Sequence, residues 1–267
     1  MKFDSLEISG QAEKTDAVKR KDDALAKKKI AKVIDFKQLR KMIKTELFSR
    51  QETLEDLSRL VFELGDKITD YDTILSDDAS GRLVSRLLWE ISSTERKKIA
   101  KKTANGYFIA GGQPIKRDND KAITAFLEKN KQKLGKTLLV TEYIESGKSI
   151  MSLIKLLENE GIDFDVATVS IHFPPQEYNR RLSKRLYYGS EGPSGEFLYG
   201  HPLFAGVRKL RPIAGEPVTR HESAHPYAHK DWTEEGLVQE AREDIKVLSS
   251  ELSKLSSSGF DSTRETQ

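Results

Sequence analysis

The chain has 267 residues, 37% of them hydrophobic and 33% charged, so it can bury one sizeable core while part of its length stays outside it. A net charge of only +3 excludes general attraction to nucleic acid and leaves that role to local basic clusters. With no cysteine, disulfides, thiolate nucleophiles and cysteine-held zinc or iron–sulfur centres are excluded. No apolar run approaches the ~20 residues that span a bilayer, and the first residues lack an apolar signal-peptide core. The expectation is a soluble, cytoplasmic protein without a membrane partner.

Residues 1–35 carry the basic knots Lys19-Arg20-Lys21 and Lys27-Lys28-Lys29 and few apolar side chains. They read as a solvated, partly helical arm, the one segment with any case for a nucleic-acid contact. From 36 to 66 the spacing is helical. Phe36, Leu39, Ile43 and Leu47 share one face, and Ser49-Arg50-Gln51-Glu52 reads as a capping box that starts a second helix with Leu54, Leu57, Val61 and Leu64 inward. Gly65 ends it.

A core over 67–190 follows. Tyr71–Leu75 reads as a strand, Ser76–Arg82 as a loop of small residues, and Val84, Leu87, Leu88 and Ile91 as the inner face of a helix. Asp77, Asp78, Ala79, Ser80, Gly81 and Arg82 suit either a helix-capping turn or a loop in which backbone approaches an anion, with Arg82 adding charge. Tyr107–Ala110 is a short strand, Gln113–Asp120 a polar loop with Lys116 and Arg117, and Ile123, Phe126 and Leu127 mark the next helix. After the helix that begins near Ile150, Phe164–Ile171 and Arg185–Tyr188 read as strands. Strands alternating with helices predict an α/β fold with a doubly wound, mainly parallel sheet. The stretch 191–231 is punctuated by Gly and Pro and reads as a long functional loop. His221, His225 and His229 recur every four residues, as helical metal ligands would, but Pro226 breaks such a helix and no resident metal is expected. Residues 232–256 form a long helix whose Ala241, Ile245, Leu248, Leu252 and Leu255 either pack on the parent domain or pair two chains as a homodimer. Residues 257–267 read as a disordered tail.

The most specific stretch is Thr137–Ser149, TLLVTEYIESGKS. Buried-strand residues run into a Ser-Gly-Lys-Ser turn and then into the helical run Ile150, Leu153, Ile154 and Leu157. Glycine lets backbone N–H groups approach an anion, and the following helix aims its N-terminal dipole at the same place. Glu142 stands where a Walker loop needs its first glycine, so a nucleoside triphosphate loop does not fit.

These residues resemble the signature of the type I phosphoribosyltransferases: four apolar strand residues, two acids, two apolar residues, then a short Thr/Ser-Gly-x-Thr/Ser loop. The resemblance implies a phosphoribosyltransferase that binds phosphoribosyl pyrophosphate (PRPP) with Mg2+ and passes the phosphoribosyl group to an unidentified nitrogenous base, releasing pyrophosphate. It implies that Glu145, Ser146, Gly147, Lys148 and Ser149 hold the 5-phosphate. Thr141 and Glu142 would hold the ribose, with Glu142 the carboxylate nearest the reacting ring; Thr141 departs from the pattern, which has an acid there. By the same resemblance, Asp77, Asp78, Ala79, Ser80, Gly81 and Arg82 would cradle the pyrophosphate with Mg2+ between acid and phosphate. Lys116 and Arg117 would lie on a loop that closes over the reaction, and 191–231 would be a hood around the acceptor. The rival expectation is a non-catalytic module of the same fold that binds a phosphorylated nucleotide or sugar.

Overall fold

Two periodicities, 2 in the strands and 3.6 in the helices, place apolar side chains so that a sheet is covered on both faces. The computed structural model describes residues 21–77, 81–109, 116–145, 147–172, 186–192, 218–220 and 235–257. Helix α1 covers residues 21–33 and is followed by α2 (Phe36–Met42), α3 (Glu46–Ser49), α4 (Gln51–Leu64) and a 3-10 turn (Gly65–Asp70). The core then runs β1 (Thr73–Asp77), α5 (Arg82–Lys98), β2 (Asn105–Ile109), α6 (Lys116–Leu134), β3 (Thr137–Ile144), α7 (Lys148–Asn159), β4 (Phe164–Ile171) and β5 (Leu186–Glu191). Strand β6 (Val218–Arg220) and helix α8 (Glu235–Ser257) complete the described elements.

The strand order is β5-β4-β3-β1-β2-β6, with β1 to β5 parallel and β6 antiparallel to β2. This is the expected α/β fold with a mainly parallel sheet. Alternate strand residues feed two cores. Ile74, Leu138 and Val140 pack with α1, α4, α5 and α8, whereas Leu75 and Leu139 pack with α6 and α7. Burial on both faces explains why Leu138-Leu139-Val140 is apolar without alternation.

Helix α8 lies against α4 and α5, and Ala241, Ile245, Leu248, Leu252 and Leu255 all enter the first core. The heptad-like seam is therefore buried in the chain's own domain. Asp244 on the same helix accepts the backbone N–H groups of Lys44 and Thr45 at 3.0 and 2.7 Å, tying α8 to the turn before α3.

Several expectations change. Ala26 and Ile30 on α1, with Ile34 just beyond it, are buried in the core, so residues 21–33 are a docked helix and not a solvated arm. Three small apolar side chains four apart are enough to seat a helix even where the composition is polar. The capping box at Ser49 does not form. Ser49 ends α3 and its hydroxyl donates to the Glu46 carbonyl at 2.7 Å, while Arg50 precedes α4 without a side-chain cap. Gly65 does end α4, at φ 51° with its N–H on the Val61 carbonyl. The first strand starts at Thr73 because Tyr71 is a core anchor, fully buried with its hydroxyl donating to Asp165 at 2.8 Å. Lys116 and Arg117 open α6 instead of lying in a polar loop. Their long unbranched side chains favour helix, and the apolar spacing that marks it in the sequence begins only at Ile123. Within 191–231, Val218–Arg220 is a strand. The rest of that stretch beyond Gly192, the three histidines, residues 1–20 and residues 258–267 lie outside the described residues.

The outer strand β5 presses on α4 at Gly189. A Cβ there would overlap the Asp56 carbonyl oxygen and stand 2.7 Å from the Val169 carbonyl oxygen, both rigid backbone. Gly189→Ala is therefore expected to cost about 2–3 kcal/mol through overpacking, read as a lower urea midpoint with unchanged slope. An unchanged midpoint would mean that β5 does not sit this close to α4.

Beside that contact, burial pushes the Asp56 carboxyl up to about 6, and the Ser190 hydrogen bond offsets this only in part. An acid raised above its unfolded value is favoured protonated in the fold, so its penalty is absent below pH ~4, grows between pH ~4 and ~6, and is complete above. After discounting for partial solvent screening, Asp56→Asn should stabilise the protein by about 1–2 kcal/mol at pH 7.5 and by nothing at pH 3.5. Denaturation curves at the two pH values measure the difference. Equal effects at both would show that the carboxyl is not held in this environment.

Candidate functional site

The connections reverse direction at the middle of the sheet. From β1 the chain passes through α5, on the first face, to β2; from β3 it passes through α7, on the second face, to β4. Yet β1 and β3 are paired neighbours, in register from Thr73↔Thr137 to Ser76↔Val140. The segments leaving their carboxyl ends therefore diverge to opposite faces and leave a crevice between them, the place where open α/β sheets bind ligands.

Two long helices start at this crevice. Gly81 precedes the 17-residue α5 and Gly147 the 12-residue α7, and as glycines these N-cap residues bring no side chain to cap the helix. Their first N–H groups and positive dipole ends are directed at one region from both sides. Gly147 has φ 69° and ψ −4°, a left-handed conformation that turns the chain from β3 into α7 and that a side chain would oppose. Its carbonyl accepts the Met151 N–H at 2.9 Å, which fixes the start of the helix.

The expected site residues fall around this point. Thr141 and Glu142 lie on β3 past its last pair with β1, 2% and 4% exposed, so a carboxyl group is held near the crevice floor in a poorly solvated setting. Thr168 on β4 faces Thr141 in register and donates to the Glu142 carbonyl oxygen at 3.0 Å, which pins this part of β3. Glu145 follows the strand and is exposed. Lys148 and Ser149 are the first two residues of α7, and Ser146 lies outside the described residues. Across the crevice, Asp77 ends β1 and Gly81 and Arg82 begin α5, while Asp78, Ala79 and Ser80 lie outside the described residues. Arg82 is 3% exposed, its guanidinium stacked 4.6 Å from the centre of the Phe108 ring. The aromatic face holds the cation at the end of the neighbouring strand. Lys116 and Arg117, at the start of α6, follow β2 and belong to the same end of the sheet.

Two further groups lie near the crevice. Ser76, expected to open the Ser76–Arg82 loop, lies instead in β1, fully buried and with no hydrogen-bond partner for its hydroxyl among the described residues. His172 directly follows β4, its N–H donating to the Ile144 carbonyl at 2.9 Å and its ring 6.5 Å from that of Tyr143 in an edge-on arrangement. The signal for both was position: a polar residue at the carboxyl end of a parallel strand. Among the described residues no group of three or more acidic or histidine side chains forms a metal site.

No family model matches the chain, and no curated protein is similar to it. Solved structures similar to it include an orotate phosphoribosyltransferase from Aeropyrum pernix, at 13% identity over 51% of this chain and 69% of that one, with a TM-score of 0.34. Others are a xanthine-guanine-hypoxanthine phosphoribosyltransferase from Helicobacter pylori (16% identity, 54% and 86% covered, TM-score 0.33) and a hypoxanthine phosphoribosyltransferase from Staphylococcus aureus (16%, 54% and 77%, TM-score 0.29). Similarity at this level leaves the roles of individual residues undecided.

The turn at Gly147 makes its own prediction. Gly147→Val places a β-branched residue at positive φ and should destabilise the protein by about 1–3 kcal/mol, whereas Gly147→Asn, which tolerates that conformation better, should cost less than half as much. Thermal unfolding of the two variants checks the order. Equal loss in both would show that the turn does not rest on the left-handed conformation.

Proposed function

We propose that the crevice between β1 and β3 binds Mg–PRPP and that the protein transfers its phosphoribosyl group to a nitrogenous base. The observation that carries this reading is the convergence of two helix N-termini, each opened by a glycine, on one crevice beside a buried glutamate. Two sources of partial positive charge suit a ligand with a phosphate at each end, and Glu142 suits a sugar that gains positive charge as its leaving group departs. In this reading Gly147, Lys148, Ser149 and the neighbouring Glu145 and Ser146 take the 5-phosphate at α7. The Asp77–Arg82 segment takes the pyrophosphate, whose Mg2+ arrives with the substrate and meets Asp77 and Asp78. Thr141 and Glu142 hold the ribose hydroxyls. Lys116 and Arg117 approach from the start of α6.

The reaction breaks the bond from the sugar C1 to the pyrophosphate oxygen and forms a bond from C1 to a ring nitrogen of the base, which gives up its proton. Pyrophosphate carries away the bonding electron pair. No side chain serves as nucleophile. The protein's work is to fix both phosphates, exclude water and place a carboxylate beside the electron-poor sugar. The unpaired Ser76 hydroxyl supports a polar ligand at this end of β1, because a buried hydroxyl left without a partner costs roughly 1–3 kcal/mol.

The second reading, a non-catalytic module that binds a phosphorylated nucleotide or sugar, is favoured by Thr141. A neutral hydroxyl in place of an acid weakens the hold on ribose and magnesium, and loss of catalysis tolerates that change more easily than catalysis does.

Pyrophosphate release from Mg–PRPP in the presence of a panel of purine and pyrimidine bases separates the two. The enzyme reading expects release with at least one base and a fall of at least a hundredfold in Glu142→Gln; binding without release on any base favours the module. PRPP with Mg2+ should also raise the melting temperature more than ribose 5-phosphate, because a ligand that occupies both helix ends has the greater affinity for the native state. Thr141→Asp should tighten Mg–PRPP binding by about fivefold, since charge-assisted hydrogen bonds exceed neutral ones by roughly 1 kcal/mol. Weaker binding in Thr141→Asp together with no effect of Glu142→Gln would remove the ribose assignment.

A further inference from the structure

A second concave site lies away from the crevice. A cavity of about 580 Å³ opens between α1, α4 and the carboxyl end of β5, a volume in the usual range for small-molecule pockets. Strand β5 is separated from β3 by β4, so the cavity lies on the order of 10 Å or more across the sheet from the crevice, at about 4.8 Å per strand.

Its wall divides by chemistry. Ile30, Ala31, Phe36 and the Tyr188 ring supply apolar and aromatic surface. Of the charged groups, four are carboxylates and two are cations, and the cations face two of those carboxylates, Asp23 and Glu55, leaving Asp56 and Glu191 in excess. Arg59 pairs with Asp23 at 3.1 Å and with Glu63 at 2.8 Å, and Lys27 faces Glu55 at 4.0 Å. Glu191 accepts the Tyr188 hydroxyl at 2.8 Å. Asp56 differs from these. Among the described residues no lysine or arginine nitrogen lies within ion-pair distance of it, and its hydrogen-bond partner is Ser190, also on the cavity wall.

We infer that this cavity binds a small planar organic cation, an amidinium or guanidinium on an apolar body, with the cation on the Asp56 carboxylate and the body against Phe36, Tyr188 and Ile30. A planar cation matches the two oxygens of a carboxylate and stacks on aromatic faces, so both halves of the wall are used by one ligand. The excess of carboxylate excludes a phosphate here and sets this site apart from the crevice in ligand charge. The raised carboxyl supports the assignment: a half-buried acid with Glu52 and Glu55 beside it on α4, against which Lys27 on α1 offsets only the smallest part, is stabilised in its charged form by a bound cation.

The probe is benzamidine, with benzamide as its neutral counterpart of the same shape, titrated into the full chain by two-dimensional amide NMR. Benzamidine should shift amides of α1, α4 and β5, and benzamide should bind at least tenfold more weakly at pH 7.5. Affinity for benzamidine should fall about tenfold from pH 7.5 to pH 5 as Asp56 takes up its proton, given ionisation near pH 6. Asp56→Asn should weaken benzamidine at least tenfold and remove the pH dependence. Ala31→Phe, which fills the cavity without touching the carboxylate, should weaken benzamidine and benzamide alike. Glu142→Gln, at the crevice, should leave benzamidine binding unchanged, so the outcome is independent of the phosphoribosyltransferase reading. Equal binding of the two probes, undiminished binding in Asp56→Asn, or no shifts at millimolar benzamidine would each overturn the inference.

Discussion

Parallel pairing of β1 with β3 is the contact on which the arrangement depends. These strands are far apart in sequence, and two helices and a strand lie between them. Pairing them places two helix starts, one on each face of the sheet, at a single crevice. The pairing is driven from both sides by apolar burial, because Ile74, Leu75, Leu138 and Leu139 are each removed from water completely. The cost of burying the strand backbone is met by the ladder, and the polar ends of the helices are left where the sheet stops. The crevice and the two helix starts beside it thus follow from the way the core is built.

The opposite end of the sheet is fastened by polar staples. Arg96, near the end of α5, donates to the carbonyls of Thr69, Tyr71 and Lys102 and to the Asp72 carboxylate. Tyr71 reaches Asp165, and burial together with that hydrogen bond pushes its phenol far above its ordinary range, so it stays a donor. These contacts tie the amino ends of the strands to α5 and to one another, at the end of the sheet away from the crevice. Glu142 is carried on β3 just beyond its last pair with β1 and is 4% exposed.

The N-terminal helices and α8 form a layer of their own on the first face. Asp244 binds the turn before α3, and Ala26, Ile30 and Ile34 seat α1 on the same core. This layer brings α4 against the outer strand, where the missing side chain of Gly189 permits backbone contact and leaves Asp56 partly out of water. The acidic cavity is a product of this second layer, as the crevice is a product of the sheet. The crevice and the cavity therefore share a fold but differ in the charge around them, helix N-termini at one and an excess of carboxylates at the other.

The sequence by itself determined the alternation of strands and helices, the inward faces of α4, α5, α7 and α8, the stop at Gly65 and the turn at Gly147. These depend on local periodicity and on backbone conformations open mainly to glycine, which neighbouring residues are enough to reveal. It misjudged α1, which is seated by few buried side chains, Ala26 and Ile30 with Ile34 just beyond, in a polar segment, and the start of α6, where polar residues that favour helix looked like loop. It put Ser76 in a loop and missed His172, because nothing local tells where a strand stops or which polar residue ends at a crevice. Only the tertiary structure decided that β1 lies beside β3, that Arg82 stacks on Phe108, that Asp244 holds the turn at Lys44 and that Asp56 faces a cavity. Each of these joins residues distant in the chain, and such contacts are chosen by the competition of whole faces for burial, which no window of sequence contains.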